Sequence, residues 1–328
     1  MTVRALKLPG DLQPLEDMLV QTFQYPENPE WGIQADEEED IAREIKTLRK
    51  IWPIIRVMQL VSPSLRDLLR GFVWGEGDQI GGVVIAQRGG TTNTWGIGIV
   101  GVLPEFRRRG IARQLVMKIL DDLRQRGAQR INLGVIEKNV PAYALYKSLG
   151  FDHYATMIEY HQWPSGMAED VPLPNGFEES PMARFDWKPR YEFDKRITPA
   201  DVARYIPVEV GRFRTPIAMR CLATLMDSLR RLKQKRFVYR LGGTIVGHLI
   251  HRTPGSGKGT SSISARLDPA QPRLATYVLA KAMRAVTTLN PKLRIQFTVP
   301  SWMSPLVAAS EDLGFEIRVR YHMLGIIL

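Results

Sequence analysis

The chain has 328 residues, of which 44% are hydrophobic and 24% charged, and its formal net charge is +11. This length predicts about two domains, and the composition excludes disordered and fibrous classes. The single cysteine, Cys221, excludes an internal disulfide, and its apolar helical surroundings predict a buried thiol. No apolar run approaches the ~20 residues of a membrane-spanning helix, and no signal-peptide pattern is visible, so we expect a cytoplasmic protein.

The charge is concentrated in the second part of the chain. Residues 201–328 carry 20 basic and 7 acidic residues, a net charge of +13, whereas residues 1–200 carry a net charge of −2. A basic half could meet nucleic acid or another polyanion. However, there is no clustered basic arm, and aromatic residues do not alternate with the arginines. We therefore favour a basic surface over a nucleic-acid interface and do not expect nucleic acid as a partner.

The apolar periodicity predicts an alternation of helices and strands, an α/β (α+β) chain with a central sheet. The first predicted elements are a strand over about residues 2–8, helices over about 12–24 and 37–58, and a short helix near 64–70. The following elements are predicted strands over 71–76, 79–88 and 94–103, a helix over 109–126, a strand over 130–137, a helix over 140–149 and a strand over 151–161.

The same pattern occurs twice in the chain. Phe72–Pro104 aligns with Phe237–Pro269 at an offset of 165 residues, and Ala142–Phe151 aligns with Leu306–Phe315 at an offset of 164. We infer an internal duplication, with domains over 1–162 and 176–328 and a linker over 163–175 that is rich in proline, glycine and acidic residues. The Gly-rich stretch Thr253–Thr260 resembles a phosphate-binding loop, but it lies between two strand patterns and is predicted to be a hairpin loop.

A better candidate for phosphate binding lies at Val102–Val116, "VLPEFRRRGIARQLV". A strand ends there, and three arginines and Gly110 lead into an amphipathic helix. The first N–H groups of a helix have no partner in the helix, and its N-terminus carries a partial positive charge, which together favour a bound phosphate. The residues alone leave open a second interpretation, a solvated basic loop that precedes a helix.

Two motifs in this region resemble the GNAT superfamily of N-acetyltransferases. R-R-R-G-I-A at Arg107–Ala112 matches the family's [QR]-x-x-G-x-[GA] signature, and "NVPAYALYKSLGF" at Asn139–Phe151 is similar to its second signature. The resemblance covers residues 1 to about 160 well and the second copy in outline. It implies two tandem domains, each with a mixed, mostly antiparallel sheet flanked by helices, an arrangement similar to that of mycothiol synthases.

The resemblance also implies an acetyl-CoA site in the first copy. The strand around Val100, Gly101 and Val102 would pair with the pantetheine amides, and Asn139 would contact the cofactor. Tyr146 would be the general acid, and Glu137 is a candidate general base, with Glu105 as an alternative. The pyrophosphate would be held by backbone N–H groups of the loop and of the first helical turn, which comprise Arg107, Arg108, Arg109, Gly110, Ile111 and Ala112.

The second copy lacks these features. At the offset of 165, Gly110 corresponds to Ala275, and Tyr146 corresponds to Ser310. We therefore expect a degenerate second copy and an N-acetyltransferase whose active site lies in the first, acting on a primary amine of a small molecule or protein. Trp31, Glu37 and Glu38, in a long helical insert, are candidate substrate contacts. The alternative is a catalytically idle acyl-CoA-binding module whose basic second copy docks a partner.

Overall fold

The structure, a computed structural model, describes residues 2–23, 31–32, 35–61, 69–76, 79–164, 166, 168–255, 257 and 259–328, without the side chains of 35–44, 61 and 76. The predicted helix near residues 64–70 falls almost entirely outside them. The first copy contains these elements: β1 (Thr2–Ala5), α1 (Leu12–Thr22), α2 (Ala35–Val61), β2 (Arg70–Glu76), β3 (Gln79–Arg88), β4 (Thr94–Val102), α3 (Ile111–Gln125), β5 (Arg130–Ile136), α4 (Val140–Ser148) and β6 (Asp152–Gln162).

The second copy repeats this order, which confirms the predicted duplication. Its elements are β7 (Phe177–Pro181), α5 (Lys188–Ile197), α6 (Ala200–Tyr205), α7 (Val210–Phe213), α8 (Ile217–Leu229), β8 (Leu232–Leu241), β9 (Thr244–Pro254), β10 (Ser261–Leu267), α9 (Ala275–Leu289), β11 (Ile295–Pro300), α10 (Ser304–Asp312) and β12 (Glu316–Ile327). Strands β9 and β10 are antiparallel neighbours, so the Gly-rich stretch between them is the predicted hairpin loop.

All twelve described strands form one sheet in the order β1-β2-β3-β4-β5-β12-β6-β11-β10-β9-β8-β7. Each copy therefore lends its last strand to the other. β12 pairs with β5 of the first copy, β6 pairs with β11 of the second copy, and β6 and β12 pair with each other. Only β4–β5 and β10–β11 are parallel, so the mixed and mostly antiparallel sheet is confirmed. The domain limits 1–162 and 176–328 stay a proposal, to which this exchange of strands must be added.

Helices cover both faces of the first copy's sheet. A Cβ atom on Gly101 would lie 2.8 Å from Thr22 Cγ2 of α1, and one on Gly82 would lie 3.0 Å from side-chain atoms of Ile111 and Leu115 in α3. Residues that face opposite sides of the sheet thus contact different helices, α1 on one side and α3 on the other. Because both faces are covered, every residue of β3 from Ile80 to Ala86 is buried. The glycines let both helices approach the strands closely.

The two copies have separate cores. One includes α1, α3 and the first strands together with Leu324 of β12, and the other includes α9, α10 and β9–β11 together with Ile158 and Tyr160 of β6. The strand exchange therefore places a residue of each copy in the core of the other. No described helix is both long and apolar enough to cross a bilayer.

The prediction that Cys221 is buried is wrong, because its side chain is exposed. Cys221 lies on α8, whose one fully buried residue is the neighbouring Leu222. Leu222 packs against Ile51, Trp52 and Ile55 of α2 in a small third cluster. This helix also has apolar residues outside its buried face. Its apolar composition therefore could not predict whether Cys221 faces the core or the solvent.

Candidate functional site

The site begins where β4 and β5 separate. Residues Thr94–Ile97 of β4 pair in parallel with residues Arg130–Leu133 of β5. Beyond this paired segment, β4 continues to Val102 and β5 to Ile136 without pairing with each other. The register between β3 and β4 shifts here, because Ile85 pairs with Ile99 and Ala86 with Ile97, which leaves Gly98 as an extra residue. Such a bulge bends a strand and ends its regular pairing. The result is a cleft whose β4 edge, including Val100, Gly101 and Val102, has no described strand partner on the β5 side.

The arginine-rich loop closes the end of this cleft. After the 3-10 turn Pro104–Phe106, Arg108 has a φ of +64° and Gly110 a φ of +76°, both in the left-handed region. This backbone leads directly into α3, whose N-cap is Gly110 and whose N-terminus receives no side-chain cap. Gly110 is exposed, and a Cβ atom on it would meet no atom within 4 Å. The loop therefore leaves open space directly in front of the helix N-terminus.

The donors at this N-terminus are available. Within the described chain, the N–H groups of Arg108, Arg109 and Gly110 donate to no backbone carbonyl outside regular helices and strands. At the start of α3, the N–H of Gln114 donates to Gly110 O at 3.1 Å. The N–H groups of Ile111 and Ala112 belong to the first turn, which has no acceptor within a helix. Arg108 and Arg109 are exposed, and Arg109 lies 5.3 Å from the centroid of the Phe106 ring. The open N–H groups, the helix dipole and the two cations suit a phosphate or pyrophosphate.

Arg107 differs from its neighbours. Its N–H donates to Pro104 O at 3.2 Å, and its guanidinium donates to Val102 O at 3.1 Å and to Thr22 O at 2.9 Å. Arg107 therefore fastens the end of α1 to the end of β4. Because these donors are engaged within the chain, we do not include Arg107 among the proposed pyrophosphate contacts.

The second motif begins just after β5, the strand on the other side of the separation. Asn139 is the N-cap of α4, and its Oδ1 accepts from Ala142 N at 3.2 Å. Tyr146 is only 7% exposed and makes an edge-to-face contact with Phe151, with ring centroids 6.0 Å apart. Glu137 is exposed directly after β5, and its N–H donates to Arg320 O of β12 at 2.8 Å. The first copy's candidate base is thus positioned by the second copy's last strand.

One substrate candidate, Trp31, is next to a residue that contacts an exchanged strand. Gly32, which follows the half-buried Trp31, accepts a hydrogen bond from Arg318 of β12 at 3.2 Å, and Arg318 forms a buried ion pair with Glu159 of β6 at 2.7 Å. The Tyr321 hydroxyl also donates to Glu159, at 3.3 Å. Sequence reasoning missed this network, because it depends on the strand exchange. Glu37 and Glu38 belong to the first turn of α2, but their side chains lie outside the described residues.

The corresponding turn of the second copy is closed. All residues from Asp268 to Ala275 are described, and none has a positive φ. The N–H groups of Gln271 and Leu274 donate to backbone carbonyls, that of Ala270 donates to the Asp268 carboxylate, and Leu274 and Ala275 are buried. Ser310, which replaces Tyr146, is fully buried, and its hydroxyl donates to Leu306 O at 2.7 Å. The second copy keeps the fold without an open helix N-terminus at this turn and without a phenol at the position of Tyr146.

The first copy is similar to a known family of acetyltransferase domains. Residues 25–151 match the model of the Acetyltransferase (GNAT) family. This match covers most of the first copy and makes it similar to that family, and the second copy repeats the order of its elements.

Individual relatives agree with this assignment. The chain is 37% identical over 72 residues to a ribosomal protein bS18-alanine N-acetyltransferase of Salmonella typhimurium, which covers 22% of this chain and 49% of that protein. It is 39% identical over 64 residues to a mycothiol acetyltransferase of Saccharomonospora viridis, which covers 20% and 21% of the two chains. The chain therefore spans half or less of the length of these two relatives.

A solved structure extends the likeness to both copies. A tandem GNAT protein from the clavulanic acid biosynthesis pathway superposes with a TM-score of 0.61 at 14% identity, which covers 99% of this chain and 98% of that one. This likeness concerns the fold of the whole chain and not a substrate.

Proposed function

We propose that this protein is an acetyl-CoA-dependent N-acetyltransferase whose active site lies in the first copy. The observation that carries the proposal is the open helix N-terminus at Arg108–Ala112, which lies beside the unpaired edge of β4 in the first copy only. An extended ligand with amide groups followed by a pyrophosphate fits both features, because the β4 edge offers peptide groups and the loop offers N–H donors.

Different residues of the first copy would bind different parts of acetyl-CoA. The N–H groups of Arg108 to Ala112 would hold the pyrophosphate, and Val100 and Gly101 would pair with the pantetheine amides. Val102 has less to offer, because its carbonyl already accepts a hydrogen bond from Arg107. When bound, acetyl-CoA supplies a thioester carbonyl that an amine attacks and a thiolate that leaves.

Two side chains are proposed to move protons. Tyr146 would donate a hydrogen bond or a proton to the leaving sulfur, which needs one because a free thiol has a pKa of about 8.5. Packing against Phe151 restrains the orientation of its ring. Glu137 would accept a proton from the attacking amine, directly or through water, and its exposure gives it access to solvent. Backbone N–H groups at the end of β4 would stabilise the oxyanion.

The acceptor is proposed to be a primary amine of a small molecule or a protein. The relatives support both kinds, since one is named for a ribosomal protein and another for mycothiol. Trp31, Glu37 and Glu38 remain the proposed acceptor contacts. The bond from Arg318 to Gly32 O holds the residue that follows Trp31.

The test is the release of CoA from acetyl-CoA with a panel of amines: polyamines, amino acids, aminoglycosides, peptides with free N-termini or lysines, and tRNA. Wild type is compared with Gly110→Trp, which fills the space in front of α3, and with Tyr146→Phe. We expect Gly110→Trp to abolish turnover and Tyr146→Phe to lower kcat about a hundredfold, the usual effect of losing an acid catalyst.

Matched controls separate these effects from misfolding. Gly127, just beyond the other end of α3, has a φ of +75° and equally open space, so Gly127→Trp introduces the same backbone strain away from the loop. Tyr143→Phe removes a phenol one turn before Tyr146. Activity that survives Gly110→Trp would refute the site. Acetyl-CoA binding without turnover for any amine would favour the alternative, an acyl-CoA-binding module.

A further inference from the structure

A cavity of ≈ 220 Å³ lies between the two copies, away from the acetyl-CoA cleft. Both copies contribute to it: β6 supplies Tyr154 and Met157, and the second copy supplies Asp194 of α5, Arg212 of α7 and Arg266 of β10. Its apolar walls include Phe213, Trp302 and Met323. None of the residues proposed for acetyl transfer lines this cavity.

Arg212 is the central feature of the cavity. It also lines a neighbouring cavity of ≈ 190 Å³, which the β3–β4 hairpin of the first copy helps to form. Its side chain remains accessible to solvent, and within the described chain its guanidinium makes no hydrogen bond or ion pair. The N–H of Thr91 in the hairpin donates to Gly211 O at 2.9 Å, which fixes the backbone beside Arg212. A guanidinium with five N–H donors thus extends from a fixed backbone and has no acceptor among the described residues.

The charges around Arg212 are predominantly positive. Asp194 Oδ1 lies 2.9 Å from Arg266 Nε, and Arg190 and Arg212 both interact electrostatically with this one carboxylate. Desolvation lowers the pKa of the buried His248 beside Asp194, so this imidazole does not add a positive charge near pH 7. Three arginines thus surround one carboxylate.

The polar lining has a second group in need of a partner. The Tyr154 hydroxyl is buried and has no hydrogen-bond partner among the described residues. Its ring is held by stacking on Tyr205, with centroids 5.1 Å apart and planes at 19°. Buried hydroxyl groups are normally paired with protein, water or ligand. A ligand that carries an acceptor would satisfy the hydroxyl and Arg212 together.

We propose that this cavity binds a small organic carboxylate. One unpartnered guanidinium offers one planar, bidentate site for a carboxylate. The aromatic and methionine side chains provide an apolar enclosure for the body of the ligand, which an inorganic anion would not use. The cavity admits a molecule of about the size of a single substituted ring. Because binding there requires no acetyl transfer, this site stands apart from the proposed function.

The test is isothermal titration calorimetry of the full chain, without acetyl-CoA, using benzoate as the probe. Benzamide, its neutral analogue, and inorganic phosphate are titrated in parallel. Wild type is compared with Arg212→Gln and with the control Arg214→Gln, which removes an exposed arginine two residues away. We expect saturable benzoate binding at one site, about tenfold to a hundredfold weaker in Arg212→Gln and unchanged in Arg214→Gln, as a charged hydrogen-bond pair requires.

The remaining outcomes overturn the proposal. Absence of saturable benzoate binding to folded wild type would do so, as would equal binding to Arg212→Gln. Benzamide binding as tightly as benzoate would show that charge is not recognised. Phosphate binding more tightly than benzoate would identify the cavity as an inorganic anion site. Circular dichroism of both variants excludes misfolding as the cause of any loss.

Discussion

The exchange of β6 and β12 between the copies makes a specific prediction about Leu324. Leu324 lies on the last strand of the second copy, yet it is 0% exposed in the core of the first copy, opposite Leu133 of β5. Leu324→Ala should therefore destabilise the first copy, although the substitution is close to the C-terminus. A matched substitution is Leu306→Ala, since Leu306 is also 0% exposed but packs in the core of the second copy.

The expected cost follows from the burial. Replacing a fully buried leucine by alanine removes its transfer free energy and leaves a cavity, which together cost about 3 kcal/mol. Each 1.4 kcal/mol is a factor of ten, so the opening equilibrium of the affected core should increase on the order of a hundredfold. The assay is amide hydrogen exchange followed by mass spectrometry of peptides from β4, β5 and α4 and from β10, β11 and α10.

The two variants should give different exchange maps. We expect Leu324→Ala to accelerate exchange first in peptides of the first copy, and Leu306→Ala to do so in peptides of the second. If Leu324→Ala accelerated exchange only in the second copy, β12 would belong to its own copy's core and the exchange of strands would be refuted.

Three further predictions concern other parts of the molecule. Arg318→Met should lower the free energy of unfolding in urea by about 3–5 kcal/mol, because it leaves the buried Glu159 carboxylate without its positively charged partner. Desolvation, followed by the charges of Lys235 and Lys281, lowers the pKa of His251 to about 4. Between pH 6.5 and pH 4 the unfolded chain therefore binds a proton at His251 that the folded chain does not bind. The free energy of unfolding should fall as the pH drops through this range. His251→Gln should remove about 2 kcal/mol of the loss between pH 7.5 and pH 5. The exposed Cys221 should react with one equivalent of a disulfide reagent in the native protein, as read by absorbance.

Each of these predictions has its own control. The double variant Arg318→Met, Glu159→Leu should recover much of the stability, because an apolar pair can replace a buried ion pair, and a double variant no more stable than the single one would contradict this account. An unchanged pH profile in His251→Gln would show that His251 is not neutral in the folded state. A thiol that reacts only in urea would mean that Cys221 is covered after all.

The local structure around the candidate site could be predicted from the sequence, because its signals are local. Gly110 before an amphipathic helix, with arginines ahead of it, predicts where α3 begins and that a basic loop precedes it. Asn139 before Pro141 similarly marks a helix start, and the structure shows Asn139 as the cap of α4. The internal alignment also predicted the element order of the second copy, because a duplicated pattern must fold into similar elements.

The rest depends on contacts between distant residues. The alignment shows that β6 and β12 occupy equivalent positions in the two copies. It does not show whether each strand pairs within its own copy or with the other copy. The role of Arg107 could not be predicted either, because the sequence does not show which of three consecutive arginines bonds within the chain. The structure shows that Arg107 does, with its guanidinium 2.9 Å from Thr22 O. Arg212 and Tyr154 are 58 positions apart, and only the meeting of the copies brings them to one cavity.

The most direct test of the central claim is a calorimetric titration of acetyl-CoA into wild type, Gly110→Trp and Gly127→Trp. If only the first copy has an open site, wild type and Gly127→Trp bind one acetyl-CoA per chain and Gly110→Trp binds none. Two molecules bound per wild-type chain, or one still bound by Gly110→Trp, would contradict the claim that the loop at Arg108–Ala112 is the protein's single acetyl-CoA site.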